Sequence, residues 1–157
     1  MSLQVVHKYG ADALRLYLIN SPVVRAEPLR FEERGVSEVI KTVFLPWYNA
    51  YRFLCQNAVR VSAGGGRFDP VGTLAAAPPT NVLDKWIQAA TRTLVNTVRR
   101  EMEGYRLYNV VPFLVKFIDN LTNIYVRYNR KRLKGRGGAD DGAMALATLF
   151  DLSLIHI

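Results

Sequence analysis

The sequence predicts an all-α fold, a helical bundle, on three observations. Apolar residues recur at steps of three and four through most stretches free of glycine and proline. Glycine and proline gather between those stretches, where helices have to stop. Half of the 157 residues are hydrophobic and 22% are charged, the balance of a globular chain rather than a disordered one.

A short helix over about residues 2–9 ends at Gly10, which accepts the left-handed conformation that other residues resist. A second helix follows over about 11–20, with Asp12 near the positive end of its dipole. Leu14, Tyr17 and Leu18 share one face of it, and Asn20, Ser21 and Pro22 form its stop signal. The next segment, VVRAEPLR, reads as extended. A long helix over about 32–60 starts with Glu32 and Glu33, and its stripe is Val36, Ile40, Val43, Trp47, Ala50, Leu54 and Ala58. Pro46 removes one hydrogen bond inside it, so a kink is expected there.

Residues 62–80, SAGGGRFDPVGTLAAAPPT, carry four glycines and three prolines and read as a flexible surface loop. The triple glycine beside Arg67 lacks the lysine and Ser/Thr of a phosphate-binding P-loop. Asn81 then caps a helix over about 82–103, with Asp84 placed as in a capping box. Its buried stripe is Leu83, Ile87, Ala90, Leu94 and Val98, and Gly104 stops it. One further helix is expected over about 106–134, with Val110, Leu114, Phe117, Leu121, Ile124 and Tyr128 facing inward. Gly135, Gly137 and Gly138 end it, and Asp140 and Asp141 open a last helix. Up-and-down helices joined by short turns make a bundle.

The formal net charge is +8, and its distribution is uneven. From Arg99 to Arg136 ten Lys or Arg residues stand against Glu101, Glu103 and Asp119, a local net charge of +7. Such a patch attracts polyanions and binds phosphates by releasing condensed counterions, so nucleic acid is the leading partner class. Within it, NIYVRYNRKRLKGR places Arg127, Arg130, Lys131 and Lys134 at helical spacing along one stripe, about 100° round from the apolar one. Tyr128 and Asn129 add a ring and an amide, side-chain types that read unpaired RNA bases. The competing reading is a solvated basic helix end favoured by its own dipole, with Tyr125 and Tyr128 as packing residues.

Catalytic and metal-binding patterns are missing from the sequence. His7 and His156 lie at opposite ends, each without the neighbours a triad or metal site requires. Cys55, the single cysteine, sits among apolar positions and reads as a small core residue. It cannot form an internal disulfide, and no signal-peptide pattern opens the chain, which together point to a reducing cytoplasmic setting. The most apolar stretch, 142–157, falls short of the roughly 20 residues that span a bilayer, so no membrane partner is expected.

KYGADALRLYLINSPVVRAEPL at 8–29 resembles, nearly word for word, the segment following the ATP-site lysine loop of cytosolic-type isoleucyl-tRNA synthetases. The resemblance continues through LRFEERGV at 29–36, LPWYNAYRFL at 45–54 and YRLYNVVPFLVKFIDNLTN at 105–123. It implies connecting helices after a catalytic domain at 1–30 and an anticodon-binding helical bundle, truncated on its C-terminal side, at 31–157. The implied partners are the anticodon arm of tRNA(Ile), gripped in part by Arg127, Tyr128, Asn129, Arg130, Lys131 and Lys134, and the catalytic domain of the same polypeptide. Such enzymes attach isoleucine to tRNA with ATP, using HIGH-like and KMSKS-like motifs. Neither motif occurs here, so ATP and catalysis are expected outside this segment, which should hold no cofactor or metal and have no activity alone.

The wording departs from the family over 62–80, at Ile124, where an aromatic residue is expected, and in the closing DLSLIHI. Both ends read as truncated, Met1 as an internal methionine or substitute start, and residues 153–157 stand apart. The valyl and leucyl enzymes share the bundle, and a stand-alone basic RNA-binding module is the alternative from another class.

Overall fold

The structure is a computed structural model describing residues 2–153; His156 and the rest of the mismatched tail beyond Ser153 lie outside the described residues. Helices α1 (Ser2–Tyr9) and α2 (Ala11–Ile19) meet at Gly10, whose φ of 85° and ψ of 155° only glycine adopts without strain. The positive φ is as expected, but the conformation is not the left-handed helical one. After α2 the chain makes a 3-10 turn, Pro22–Arg25, where extended backbone was expected. Ser21 accepts the Val23 N–H and Pro22 supplies a fixed φ at the first position, so the turn is locally encoded.

The long helix runs as α3 (Glu33–Val39), a π turn (Ile40–Phe44) and α4 (Leu45–Ala63). Pro46 has no N–H to donate, and the Leu45 N–H reaches back to the Ile40 carbonyl. The expected kink is thus a widened turn just ahead of the proline. Cys55 is half-buried rather than a core residue.

The stretch 62–80 is not simply a loop. Asp69 accepts the Gly72 N–H and caps α5 (Pro70–Ala76), which packs on the last helix, and Phe68 meets Phe150 edge-on at 6.0 Å. The Asp-Pro start was a capping signal hidden among glycines. Next, α6 (Val82–Glu103) follows its expectation closely, with Asn81 accepting the Leu83 N–H. Gly104 keeps negative φ, and the left-handed residue that turns the chain is Tyr105, at φ 54°.

The expected single helix over 106–134 is interrupted. Regular α7 (Leu107–Asp119) gives way to a π turn (Asn120–Val126), and after Asn129 a short α8 (Arg130–Leu133) completes the run before α9 (Ala139–Ser153). In the π turn, Thr122 bonds the Ile118 carbonyl and Asn123 bonds Asp119, both competing with the ordinary ladder. The wider turn shifts the register by one residue. Inward positions therefore pass from Leu121 to Tyr125, Asn129 and Leu133, while the expected Ile124 is only half-buried and Tyr128 faces solvent.

Two apolar clusters hold the fold. The larger joins Leu54, Ile87, Leu94, Phe117, Leu121, Tyr125, Leu133, Leu146 and Leu149, from α4, α6, α7, the π turn over 120–126, α8 and α9. The smaller joins Val5, Ala13 and Val36, with Tyr17 set edge-on to Phe31 at 5.7 Å. Because Val36 belongs to α3, this packing crosses the division expected at residue 30. No strand occurs among the described residues.

Candidate nucleic-acid interface

The basic end of the molecule is built on a buried carboxylate. Asp84, in the first turn of α6, is fully buried and receives three donors: Tyr125 Oη at 2.7 Å and the two terminal nitrogens of Arg132 at 3.1 and 2.8 Å. Asp84 is therefore no capping-box partner; it is the anchor for the chain beyond the π turn. Arg132 also donates to Asp141 at 2.7 Å and to the side chain of Asn129 at 3.0 Å. Burial works against the charge on Arg132, but Asp84 and Asp141 outweigh it and hold the guanidinium more firmly protonated. Burial first, then the Asp84 charge, pushes the Tyr125 phenol up, so it remains a donor.

Above this anchor the chain turns through a Schellman motif. Gly135 adopts φ 73°, its N–H bonds the Arg132 carbonyl at 2.7 Å, and the Arg136 N–H bonds the Lys131 carbonyl at 3.1 Å. Arg60, from α4, donates to the carbonyls of Leu133 and Lys134, satisfying acceptors that a helix end leaves open. Gly142 lets α9 pass closely: a Cβ there would sit 3.2 Å from both the Arg132 oxygen and the Gly135 Cα.

The result is a concavity of about 520 Å³ ringed by Arg127, Tyr128, Arg130, Lys131, Lys134 and Arg136. Five of the six residues expected to contact RNA line it. Asn129 does not: it is 2% exposed, its amide nitrogen bonds the Tyr125 carbonyl at 3.1 Å, and its oxygen accepts from Arg132. The register shift turns Asn129 inward and leaves Tyr128 73% exposed, so this tyrosine is a surface ring and not a packing residue. Arg136 is the member that sequence reading missed. The signal was Gly135, since a left-handed residue after a helix folds its successor back over the last turn.

Among the described residues none of these five cations forms an ion pair, whereas Arg132, Arg100 and Arg106 are all neutralised by carboxylates. A dense ring of uncompensated positive charge at one end of a bundle is electrostatically unfavourable unless an anion meets it. Its shape and charge suit phosphates. No group of three His, Cys, Asp or Glu suited to a metal ion occurs among the described residues, and no helix there is long and apolar enough to cross a membrane.

Fold and site together define a helical bundle with a basic, phosphate-suited concavity at one end. Residues 84–155 match the family described as the anticodon-binding domain of tRNA ligase. Over 153 residues, 97% of this chain, the sequence is 65% identical to the cytoplasmic isoleucine–tRNA ligase of Arabidopsis thaliana, covering 13% of that protein. The cytoplasmic isoleucine–tRNA ligase of Mus musculus is 53% identical over 97% of the chain and 12% of its own length. That of Saccharomyces cerevisiae is 49% identical over 94% of the chain and 14% of its own length. The chain belongs to the isoleucine–tRNA ligase family, and it spans about one-eighth of the length of the curated relatives it matches.

Proposed function

We propose that this chain grips the anticodon arm of tRNA(Ile), so that the distant acceptor end reaches a catalytic domain elsewhere on the same polypeptide. There, ATP-dependent attachment of isoleucine takes place, in the cytoplasm. The observation that carries this reading is the ring of unpaired cations, Arg127 to Arg136, borne by the portion that matches an anticodon-binding domain. The anchor of Asp84, Tyr125 and Arg132 supports it by fixing the ring's backbone without using any of the ring's charges. Helices 1–30 act as the connecting part and 31–157 as the bundle proper. The contribution to the reaction is positional, since holding a substrate in register lowers the entropy cost of the chemical step.

The test is binding of the 157-residue chain to tRNA across a salt series. Affinity is expected to fall by roughly 0.7 to 0.9 log units per decade of salt for each phosphate neutralised. The double variant Arg130→Glu, Lys131→Glu is expected to flatten that slope. An unchanged slope and affinity in a folded double variant would refute the reading.

A further inference from the structure

The cations of the ring stand at the wrong end of a helix for holding an anion. The run through the π turn and α8 finishes at Leu133, and the open carbonyls of a helix C-terminus carry about half a negative charge. A phosphate entering the basic concavity approaches that end, so the attraction of the ring is partly cancelled unless the carbonyls are engaged. The backbone engages three of them. The Lys134 N–H bonds the Arg130 carbonyl at 3.3 Å, that of Gly135 bonds Arg132 at 2.7 Å and that of Arg136 bonds Lys131 at 3.1 Å. The next two, on Leu133 and Lys134, each receive one terminal nitrogen of Arg60, the Leu133 oxygen at 3.1 Å. Arg60 belongs to the last turn of α4, 73 residues before Leu133, and its side chain forms no part of the wall of the concavity.

We infer that Arg60 is a positioning residue for the phosphate site: it masks the negative helix end and ties the backbone of the ring to α4, without touching the RNA itself. The inference rests on the tRNA-binding reading and adds to its machinery a residue from a different helix. A guanidinium suits the task, because its rigid fork presents N–H groups side by side to two neighbouring oxygens and keeps its charge at any physiological pH. Through Leu133 and Lys134 it holds the turn that leads to Gly135 and Arg136, so the placement of Lys134 and Arg136 depends on it. Asp84, from α6, secures the same turn on its inner side through Arg132. Two helices thus fix the end of a third, and the charge that α4 supplies cancels the one local field that opposes an anion.

The experiment measures tRNA binding by the 157-residue chain across a salt series. Arg60→Met keeps the aliphatic stem and removes the charge and the donors. It is expected to bind roughly threefold to tenfold more weakly at each salt concentration, with the wild-type slope. Arg60→Lys restores the charge but not the fork and should recover part of that loss. In an Arg136→Ala background the loss from Arg60→Met should shrink, because Arg60 acts through the turn that carries Arg136. Thermal melts confirm folding, and should the methionine variant not fold, the lysine variant carries the comparison, weaker than wild type at the same slope. Wild-type affinity in the substituted chain overturns the inference and leaves the cation ring standing. A slope shallower by about 0.7 to 0.9 also overturns it, since Arg60 would then meet a phosphate itself. A wild-type chain that binds no tRNA overturns the reading beneath it as well.

Discussion

Arg132 meets Asp84 through two hydrogen bonds of 3.1 and 2.8 Å, joining the end of the basic run to the first turn of a helix 48 residues earlier. With Asp84 fully buried, removing its partner leaves an uncompensated carboxylate inside the protein. Arg132→Ala is therefore expected to cost about 3 to 5 kcal/mol. Urea unfolding at neutral pH measures it, and a loss below about 1 kcal/mol, the worth of a surface pair, would contradict this account. Arg132→Lys is not a rescue, because a point charge cannot serve Asp84 and Asp141 together.

Arg136 lies in the ring only because Gly135 turns the chain back. Arg136→Ala is expected to leave stability nearly unchanged and to make the salt slope of tRNA binding shallower by about 0.7 to 0.9. Gly135→Val strains a residue at φ 73° and should cost on the order of 1 to 2 kcal/mol in unfolding experiments. If Arg136→Ala has the wild-type slope, that side chain meets no phosphate.

Glu101 gathers Arg106 at 2.7 Å, Asn109 at 2.9 Å and Arg100 at 3.2 Å at the corner between α6 and α7. The Arg106 bond first, then that from Asn109, hold its carboxyl down to about 2. A depressed value means that the folded state favours the charged form. Its contribution is complete above the ordinary glutamate range of about 4.3 and is lost as pH falls through about 2. Glu101→Gln is expected to flatten stability against pH across that window, as read from denaturant midpoints. Superimposable pH curves for variant and wild type would show that the corner does not titrate in this way.

Tyr105 carries a φ of 54° and is almost fully exposed, so its ring gains little from packing while its backbone is strained. Tyr105→Gly relieves about 1 to 2 kcal/mol of strain and loses about 0.5 to 1 in chain entropy. A net stabilisation of about 0.5 to 1 kcal/mol is expected from thermal or urea unfolding. A destabilised glycine variant would mean that the tyrosine ring is held by contacts that outweigh the strain.

Much of the fold was legible because it follows local rules. α6 begins at Asn81 and keeps its stripe of Ile87 and Leu94 because propensity, capping and periodicity agree along its whole length. α5 escaped because its cap sits inside a glycine-rich stretch, and a helix of seven residues shows too little periodicity to read. Arg127, Arg130, Lys131 and Lys134 come to the surface together, as their spacing predicts, because they lie outside the core on either register, whereas Tyr128, expected inside, joins them only through the π turn. Asn129 was misread, and Asp84 and Arg132 were passed over as partners, for one physical reason. A constant period of 3.6 residues carries no record of a π turn, so the inward positions from Ile124 onward were placed one step off.

That widened turn makes residue count a determinant of what this surface displays. Removing one amino acid between Leu121 and Tyr125 would close the turn to the ordinary pitch and keep Asn129 inside, whereas restoring that pitch at the present length would send Tyr128 inside and swing Asn129 to the outside. Two sequences that differ by one residue in length here can thus present the same face to an approaching polyanion, the longer one by widening a single turn.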